Sequence, residues 1–369
     1  MRQRKNVLNM LPAEITAFRA AVQALQNSTD PVCNYNHLAQ IHVNSCVHNY
    51  ELFLPWHRAF ILDYENALRQ VSGQDVTLPY WDWIGAPAIP DIFMSPPLAH
   101  GRDPGGPDQR FPTRTEVDTA LRMSDFYLFG GTELVPGFPT QPGQMDNLHG
   151  YVHLWVGGDM ADIYTFRSAF DPIFWTHHSN VDRLWTRWQH AFGNAGPVDT
   201  TTFLPGLDTQ RTAGDVLDIG PNGLAYEYVE AAFDIPLNKG LFQPREQFNL
   251  DICCVRTEFT RAEVRFVNVR QARGHALPGA IDVVLPEMRV PPRVSLFGLH
   301  SMHHKMQDPG AIKDHAVSIS PIADVTDAVL KAKERTRPID IEFRLIGAPG
   351  THAEACGISV DRLQLVLLA

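Results

Sequence analysis

The chain has 369 residues, 44% of them hydrophobic and 20% charged, which is ordinary for a globular protein. Its formal net charge of −10, with no block of lysine or arginine after residue 5, argues against nucleic acid as a partner. No run of about 18 apolar residues occurs, so no helix that spans a membrane is predicted.

The chain opens with a basic segment, residues 1–15, that lacks the apolar core and cleavage site of a secretory signal. We therefore expect a soluble protein, with the cytoplasm slightly favoured among compartments. Apolar residues at helical spacing then predict a packing helix over 12–27 and a strong helix over 57–71. The aromatic cluster LPYWDW, at 78–83, is typical of residues that pack around a core.

The middle of the chain alternates between loops and helices. Proline and glycine recur over 84–143, which predicts long irregular loops around the mouth of a site. Helices are predicted at 149–157 and 173–191, the second after Asp171 and Pro172, a pair typical of a helix start. Together the helical segments predict a mainly α domain, an antiparallel four-helix bundle with long loops.

The character of the sequence changes near residue 250. Residues 199–249 have no regular pattern, whereas later segments such as RAEVRFV and IDIEFRL alternate and are rich in β-branched residues. We predict two domains, the helical one over 1–250 and an antiparallel β-domain, sandwich- or barrel-like, over 251–369. The cysteines are odd in number and scattered, which argues against a disulfide framework; they are Cys33, Cys46, Cys253, Cys254 and Cys356.

Six histidines on the helical segments form two sets of three. His149 and His153 are four residues apart, which places both imidazoles on one face of a helix, and His178 follows on the next helix. Three imidazoles from antiparallel helices can bind one metal ion, and this ligand type suits copper, zinc, iron or nickel alike. The earlier set lies in the segment HVNSCVHNYELFLPWHR and comprises His42, His48 and His57.

Two longer motifs carry a resemblance to a known family. FLPWHR at 53–58, preceded by His48 and followed by Glu65, and DPIFWTHHSNVD at 171–182 resemble the two copper signatures of type 3, coupled binuclear copper proteins. This family comprises tyrosinases, catechol oxidases and molluscan haemocyanins, and the resemblance covers roughly residues 35–190. It implies two copper ions, and a β-rich C-terminal domain that packs over the active-site entrance.

The resemblance also implies which histidines bind each copper ion. For the first ion, the spacing selects His48 and His57, with His42 the favoured first ligand and His37 the alternative. The second ion is assigned to the later set. The family pattern D-P-x-F-x-x-x-H-x-x-x-D, aligned on residues 171–182, places its histidine at position 178, so the histidine at 177 is expected to be a packing neighbour. That second set comprises His149, His153 and His178, with His177 beside it.

Several further residues acquire expected roles from the same resemblance. Cys46, two residues before His48, resembles a cysteine whose sulfur is joined to that histidine ring by a thioether bond. Glu65 and Asp182 are candidate hydrogen-bond partners for ligand histidines, the alternative being pairing with an arginine such as Arg58 or Arg183.

Three positions around the second ion bear on substrate choice. Asp146 stands where many members have a glutamate that holds a water for deprotonating phenols, and it keeps the carboxylate on a shorter side chain. Gly150 stands where active monophenolases often carry Asn or Asp, so it offers no side chain to orient that water. Thr165 matches a gate position that a bulky Phe occupies in many catechol oxidases, and its small side chain leaves the entrance open.

The resulting expectation is a copper oxidoreductase that uses O2 to oxidise o-diphenols to o-quinones, with monophenol hydroxylation as a further activity. The first alternative is a haemocyanin-like O2 carrier, or a latent enzyme whose β-domain blocks the entrance with Phe297, Leu299 or Met302. A single chain rather than a tandem array favours the enzyme. A zinc hydrolase is disfavoured because the ligand pair is spaced by H-G-Y-V-H rather than H-E-x-x-H, and the cluster HSMHH at 300–304 is expected to be an exposed turn.

Overall fold

The computed structural model describes residues 1–106, 109–158, 161–193, 195–235, 242, 244–252, 255, 259–271, 278–296, 320–335, 338–347, 352–353 and 358–368. These residues divide into two compact units, Met1–Tyr228 and Val229–Ala369. The division precedes the predicted boundary at 250/251, because two strands before residue 251 pair within the second unit. Several residues of the sequence predictions lie outside the described part of the chain, namely Cys253, Cys254, Phe297, Leu299, the cluster at 300–304 with Met302, and Cys356.

The first unit is helical, as the sequence predicts. Its helices are α1 (Pro12–Gln26), α2 (Tyr35–Ser45), α3 (Phe53–Ser72), α4 (Arg114–Leu121), α5 (Phe126–Gly130), α6 (Gln144–Gly157) and α7 (Ile173–Phe192). The prediction of loops throughout 84–143 was wrong for α4 and α5. In α4 the sequence signal is a capping box, in which Thr113 accepts a hydrogen bond from the Glu116 N–H and the Glu116 carboxylate accepts one from the Thr113 N–H.

Helices α3 and α7, each of 20 residues, are almost entirely buried and pack against each other. Helix α3 begins at Phe53 rather than at His57. Pro55 is tolerated in its first turn because the N–H groups there have no partner within the helix. Tyr64 of α3 stacks on Trp175 of α7, with ring centroids 3.8 Å apart. This aromatic core fixes the two helices that carry the central histidines.

The second unit is a β-sandwich. Its strands are β3 (Ala231–Asp234), β4 (Arg245–Leu250), β5 (Arg261–Val267), β6 (Arg270–Gln271), β7 (Pro278–Val284), β8 (Arg293–Ser295), β9 (Ile322–Asp324), β10 (Ile339–Gly347), β11 (Ile358–Ser359) and β12 (Arg362–Leu368), with helix α8 at Thr326–Glu334. Antiparallel sheets of order β4-β10-β7-β8 and β3-β12-β5-β9 share one apolar core. Phe266 and Phe343, from opposite sheets, have ring centroids 5.5 Å apart.

Two short strands, one from each end of the helical unit's sequence, pair with each other. β1 (Arg2–Lys5) pairs with β2 (Tyr226–Val229), whose last residue falls at the division between the units. None of the described helices is long and apolar enough to cross a membrane.

Candidate metal centre

The structure brings the six predicted histidines together in the first unit. Helix α2 carries His42, the segment between α2 and α3 carries His48, α3 carries His57, α6 carries His149 and His153, and α7 carries His178. The two sets face each other through two ring stacks. His57 lies over His178 with centroids 4.2 Å apart, and His48 lies over His149 with centroids 5.2 Å apart.

In the first set, each ring on a helix is held through Nδ1 by a backbone carbonyl. His42 Nδ1 lies 2.9 Å from Phe166 O, and His57 Nδ1 lies 2.9 Å from Phe53 O. A carbonyl only accepts, so Nδ1 carries the proton and Nε2 presents a lone pair. Both Nε2 atoms are buried and have no hydrogen-bond partner among the described residues, which is what a metal ligand requires.

Two rings of the second set show the same arrangement, whereas the buried Nδ1 of His178 has no hydrogen-bond partner among the described residues. His149 Nδ1 donates to Asp146 O at 2.5 Å, and His153 Nδ1 donates to the Ile163 carbonyl. His153 Nε2 and His178 Nε2 are 3.3 Å apart. Two imidazole nitrogens bound at about 2.0 Å to one tetrahedral ion are separated by about the same distance. The pair therefore fits a shared metal ion.

Burial keeps four of these imidazoles neutral. Burial, with a smaller contribution from neighbouring imidazoles, lowers the pKa of His42 to about 3. The same causes hold the pKa of three further buried rings well below the usual range, namely those of His57, His153 and His178. Imidazole nitrogens with free lone pairs suit copper, among other transition-metal ions, so the residues fit the ion that the resemblance implies.

His177 lies closer to the second set than the sequence predicts. It is buried, and neither of its ring nitrogens has a hydrogen-bond partner among the described residues. One ring nitrogen of His177 lies within 4.8 Å of those of the second set. Its ring lies parallel to that of His149, with centroids 5.7 Å apart. His177 and His178 are adjacent on α7, and the rings of both lie near those of His149 and His153. The assignment of the copper ligand to His178 therefore stays a prediction.

The geometry separates the two candidates for the first ligand of the first ion. His37 Nε2 lies 2.8 Å from the carboxylate of Asp208, which is itself exposed. His42 instead lines the cavity with His48, His149 and His153, and its buried Nε2 has no hydrogen-bond partner among the described residues. The structure therefore favours His42.

Cys46 ends helix α2 beside the first set. Its sulfur lies within 4.8 Å of ring nitrogens of His42 and His48. Burial raises the pKa of the Cys46 thiol to about 11. The cysteine is therefore placed next to the ring to which the predicted thioether would join it, and the bond itself stays a prediction.

Glu65 and Asp182 bind arginines, so the prediction that they anchor ligand histidines was wrong and the alternative pairing is the one present. Glu65 Oε2 lies 3.1 Å from Arg4 Nη2, with both side chains wholly buried. Asp182 pairs with Arg58 and with Arg4, and accepts a hydrogen bond from the Tyr226 hydroxyl at 2.6 Å. These groups tie the N-terminal strand to α3 and α7.

Asp146 is buried against both sets. Its Oδ1 lies 3.4 Å from His48 Nδ1 and 3.2 Å from His149 Nδ1. Its Oδ2 accepts the Asn49 N–H at 2.6 Å. Burial alone would raise the pKa of Asp146, but hydrogen bonds from the two histidines outweigh it and hold that pKa well below its usual range. Sequence reasoning missed the contact with His48, which comes from a residue 98 positions earlier.

A cavity of about 370 Å³ opens from the histidines to solvent. A Cβ built on Gly150 would meet nothing within 4 Å, so there is room for a side chain at this position. Thr165 is exposed at the mouth, and its hydroxyl donates to Asp162 O at 3.0 Å. The lining comprises His42, His48, His149, Gly150, His153, Ile163, Tyr164, Thr165, Phe166 and Ser168.

The segment that bears Thr165 also holds the histidines. The backbone carbonyls of Ile163 and Phe166 accept hydrogen bonds from His153 and His42, respectively, which belong to different sets. The Phe166 side chain is 69% exposed. Asp162 secures the segment through Arg167 Nε at 3.0 Å and His100 Nε2 at 3.1 Å. The lip of the cavity and the orientation of the His42 and His153 rings therefore depend on the same short segment of chain.

Comparisons with known proteins agree with this geometry. The common central domain of tyrosinase matches residues 26–112 and 97–191. A tyrosinase from Streptomyces galbus is 32% identical over 219 residues, which cover 50% of this chain and 78% of that protein. A latent apple tyrosinase shares the fold with a TM-score of 0.53 and 16% identity, over 100% of this chain and 97% of that one. A functional unit of octopus haemocyanin gives a TM-score of 0.51 and 19% identity, over 100% of each chain.

Proposed function

The chain belongs to the tyrosinase family of type 3 copper proteins and is a dicopper oxidoreductase, and from this premise we propose that it oxidises o-diphenols to o-quinones with O2. The observation that carries the proposal is the cluster of six imidazoles, from four helices and one connecting segment, of which four line a solvent-open cavity. In the proposed assignment, the first copper ion is bound by His42, His48 and His57, and the second by His149, His153 and His178.

The copper pair, when bound, supplies two-electron exchange between the phenolic substrate and O2. Each catechol loses two electrons and two protons, so two catechols and one O2 give two o-quinones and two waters. The chain's own share is to fix the rings through their Nδ1 atoms and to admit one aromatic ring. Ile163, Tyr164 and Phe166 provide apolar walls for that ring.

Monophenol hydroxylation makes a further demand, because a phenolic proton with a pKa near about 10 must be removed. In the proposed reading Asp146 is a poor base for this step, since His48, His149 and the Asn49 N–H already bind its two oxygens. Gly150 offers no side chain to hold a water. We therefore assign o-diphenol oxidation as the main activity and monophenol hydroxylation as a weaker one, with Thr165 leaving the entrance open to either substrate.

The second candidate is a latent enzyme, in which the β-domain covers the cavity until it moves or is removed. Support comes from the apolar lip around Phe166, which is exposed within the first unit, and from the likeness of the whole chain to a latent tyrosinase. A haemocyanin-like O2 carrier shares this fold, and it differs from the enzyme in having no turnover of either phenol.

The test is oxygen uptake by the copper-loaded chain on a catechol and on its matching monophenol. Rapid uptake on the catechol, with slow uptake on the monophenol, supports the proposal. Equal uptake on both would overturn the ranking of the two activities. No uptake on either until limited proteolysis removes the second unit would support the latent enzyme, and no uptake before or after proteolysis would support the carrier.

A further inference from the structure

Asp146 is the one described side chain whose carboxylate contacts a histidine of each set. Its Oδ1 lies 3.4 Å from His48 Nδ1 and 3.2 Å from His149 Nδ1. His48 and His149 also stack on each other, with centroids 5.2 Å apart and planes 12° from parallel. A single buried oxygen therefore touches both partners of a ring stack that spans the two sets.

His48 depends on this carboxylate more than the other predicted ligands do. It lies between α2 and α3, where no helical hydrogen-bond ladder fixes the backbone. Four of the other rings are oriented by backbone carbonyls, namely those of His42, His57, His149 and His153. For His48, the hydrogen bond that the structure shows at Nδ1 is the one this nitrogen donates to Asp146 Oδ1.

The backbone next to His48 is held by the same side chain. Asn49 has a φ of 66°, in the left-handed region that few residues other than glycine adopt, although asparagine tolerates it. Its N–H donates to Asp146 Oδ2 at 2.6 Å. The carboxylate thus accepts two N–H groups, one from the His48 imidazole and one from the adjacent Asn49 backbone, and also lies against the His149 ring, while only 6% of Asp146 is exposed.

From these contacts we propose that Asp146 is a positioning residue that sets the two copper sites at their mutual distance, by holding one ligand of each through a shared carboxylate. The inference rests on the proposed function in taking His48 and His149 as copper ligands. A carboxylate has acceptors on both oxygens, whereas the isosteric amide of asparagine presents an NH2 group at one of them. Asp146→Asn therefore keeps the shape of the side chain, but its amide N–H must face either the His48 imidazole N–H or the Asn49 backbone N–H.

The experiment compares full-length wild type with D146N, D146E and the control D63N. Asp63 is also a largely buried carboxylate on α3, but it binds Thr209 at 2.6 Å and Arg211 at 2.7 Å. Copper per chain is measured after equilibration against chelators of graded affinity, and electron paramagnetic resonance is recorded on the Cu(II)-loaded protein. Two Cu(II) ions close enough to couple give no signal, whereas a separated Cu(II) ion does.

For D146N we expect copper affinity to fall by about 10- to 100-fold, the usual effect of losing a group that orients a ligand. The copper that remains should give a resonance signal, because the two ions are no longer held at coupling distance. D146E keeps the carboxylate and should retain more copper than D146N. D63N should bind two ions without a signal.

Two results would overturn the proposal. One is a D146N protein with wild-type copper affinity and no resonance signal, and the other is a greater loss in D146E than in D146N, which would indicate that the shape of the side chain matters and its charge does not. If D146N does not fold, D146E is compared with wild type and D63N instead. D146E should then have reduced copper affinity and a partial resonance signal. Wild-type copper affinity without a signal in D146E would contradict the proposal. Failure of the wild type to bind two coupled ions would instead contradict the proposed function.

Discussion

His57 and His178 stack with ring centroids 4.2 Å apart and planes 10° from parallel, although they belong to different histidine sets. They come from α3 and α7, whose buried faces pack on each other through Tyr64 and Trp175. The same aromatic core that stabilises the helical unit therefore fixes the closest approach of the two sets. Because protein cores are close-packed, the distance between the His57 and His178 rings cannot change without disturbing the packing of the two helices.

The first prediction separates His178 from its neighbour. His178→Gln should remove one copper ion per chain and lower oxygen uptake on a catechol by at least about 100-fold, since even a group that only orients a ligand contributes about 10- to 100-fold. The reason is the position of its Nε2, 3.3 Å from His153 Nε2. His177→Gln is the matched control and should keep both ions. Metal analysis by mass spectrometry provides the measurement, and the reverse pattern would transfer the ligand role to His177.

The second prediction concerns the buried ion pair of Arg4 and Glu65, which lies at 3.1 Å. Removing one partner of such a pair leaves an uncompensated buried charge, so Glu65→Gln should lower the free energy of unfolding at pH 7 by about 3–5 kcal/mol. Burial alone would raise the pKa of Glu65, but Arg4 outweighs it and lowers that pKa. Chemical unfolding with urea measures the change, and a difference below about 1 kcal/mol would contradict it.

The sign of the pH dependence follows from the lowered pKa. A carboxyl whose folded pKa is depressed adds stability that is fully present above its unfolded pKa, about 4.3. That stability is lost as the pH falls through the folded value. The difference between wild type and Glu65→Gln should therefore be constant from pH 7 to 5 and shrink below about pH 4. A difference that grows on acidification would show that the pair is not ionised in the folded protein.

Local patterns in the sequence predicted the helices and the histidines on them, since i, i+4 spacing and the two long motifs depend on neighbours along the chain. Contacts between distant segments were not accessible in this way. Arg4 reaches Glu65 and Asp182 across 61 and 178 positions, and no local pattern marks such a pair. The contact of Asp146 with His48 was missed for the same reason, because it joins α6 to the segment between α2 and α3.

The strands β3 and β4 and the short helices were missed for different reasons. Strand β3 has four residues and β4 has six, too few for an alternating pattern to be distinguished from loop sequence. Helix α4, in contrast, has a readable signal in Thr113 and Glu116, which proline and glycine on either side obscured. The capping box would have placed this helix from sequence alone.

The third prediction is the thioether between Cys46 and His48. Its formation joins sulfur to a ring carbon with loss of two hydrogens, which O2 takes up at the copper site. Wild type exposed to copper and air should therefore be about 2 mass units lighter than the apo chain, and unfolded protein should titrate one thiol fewer than its five cysteines. Cys33→Ala, which changes a buried cysteine elsewhere, should keep the mass loss, and Cys46→Ala should abolish it. An unchanged mass in the wild type would exclude the bond.

The last prediction tests the position after the first ligand of the second ion. Gly150 lies within α6, and a side chain there meets open space on the cavity side. Gly150→Asn should raise the ratio of monophenol to catechol turnover by about tenfold, a fraction of the 10²–10⁴ that a positioned base contributes, because an amide can hold a water at the cavity.

Gly150→Ala is the control for this change, since it fills the same space and removes the glycine without adding a polar group. Both variants should be slightly more stable than wild type, by up to about 1 kcal/mol, because glycine disfavours the interior of a helix. Oxygen uptake on matched phenol and catechol gives the ratio, and thermal unfolding gives the stability. An equal rise in both variants would assign the effect to helix rigidity, and no rise in either would show that Gly150 does not limit phenol activation.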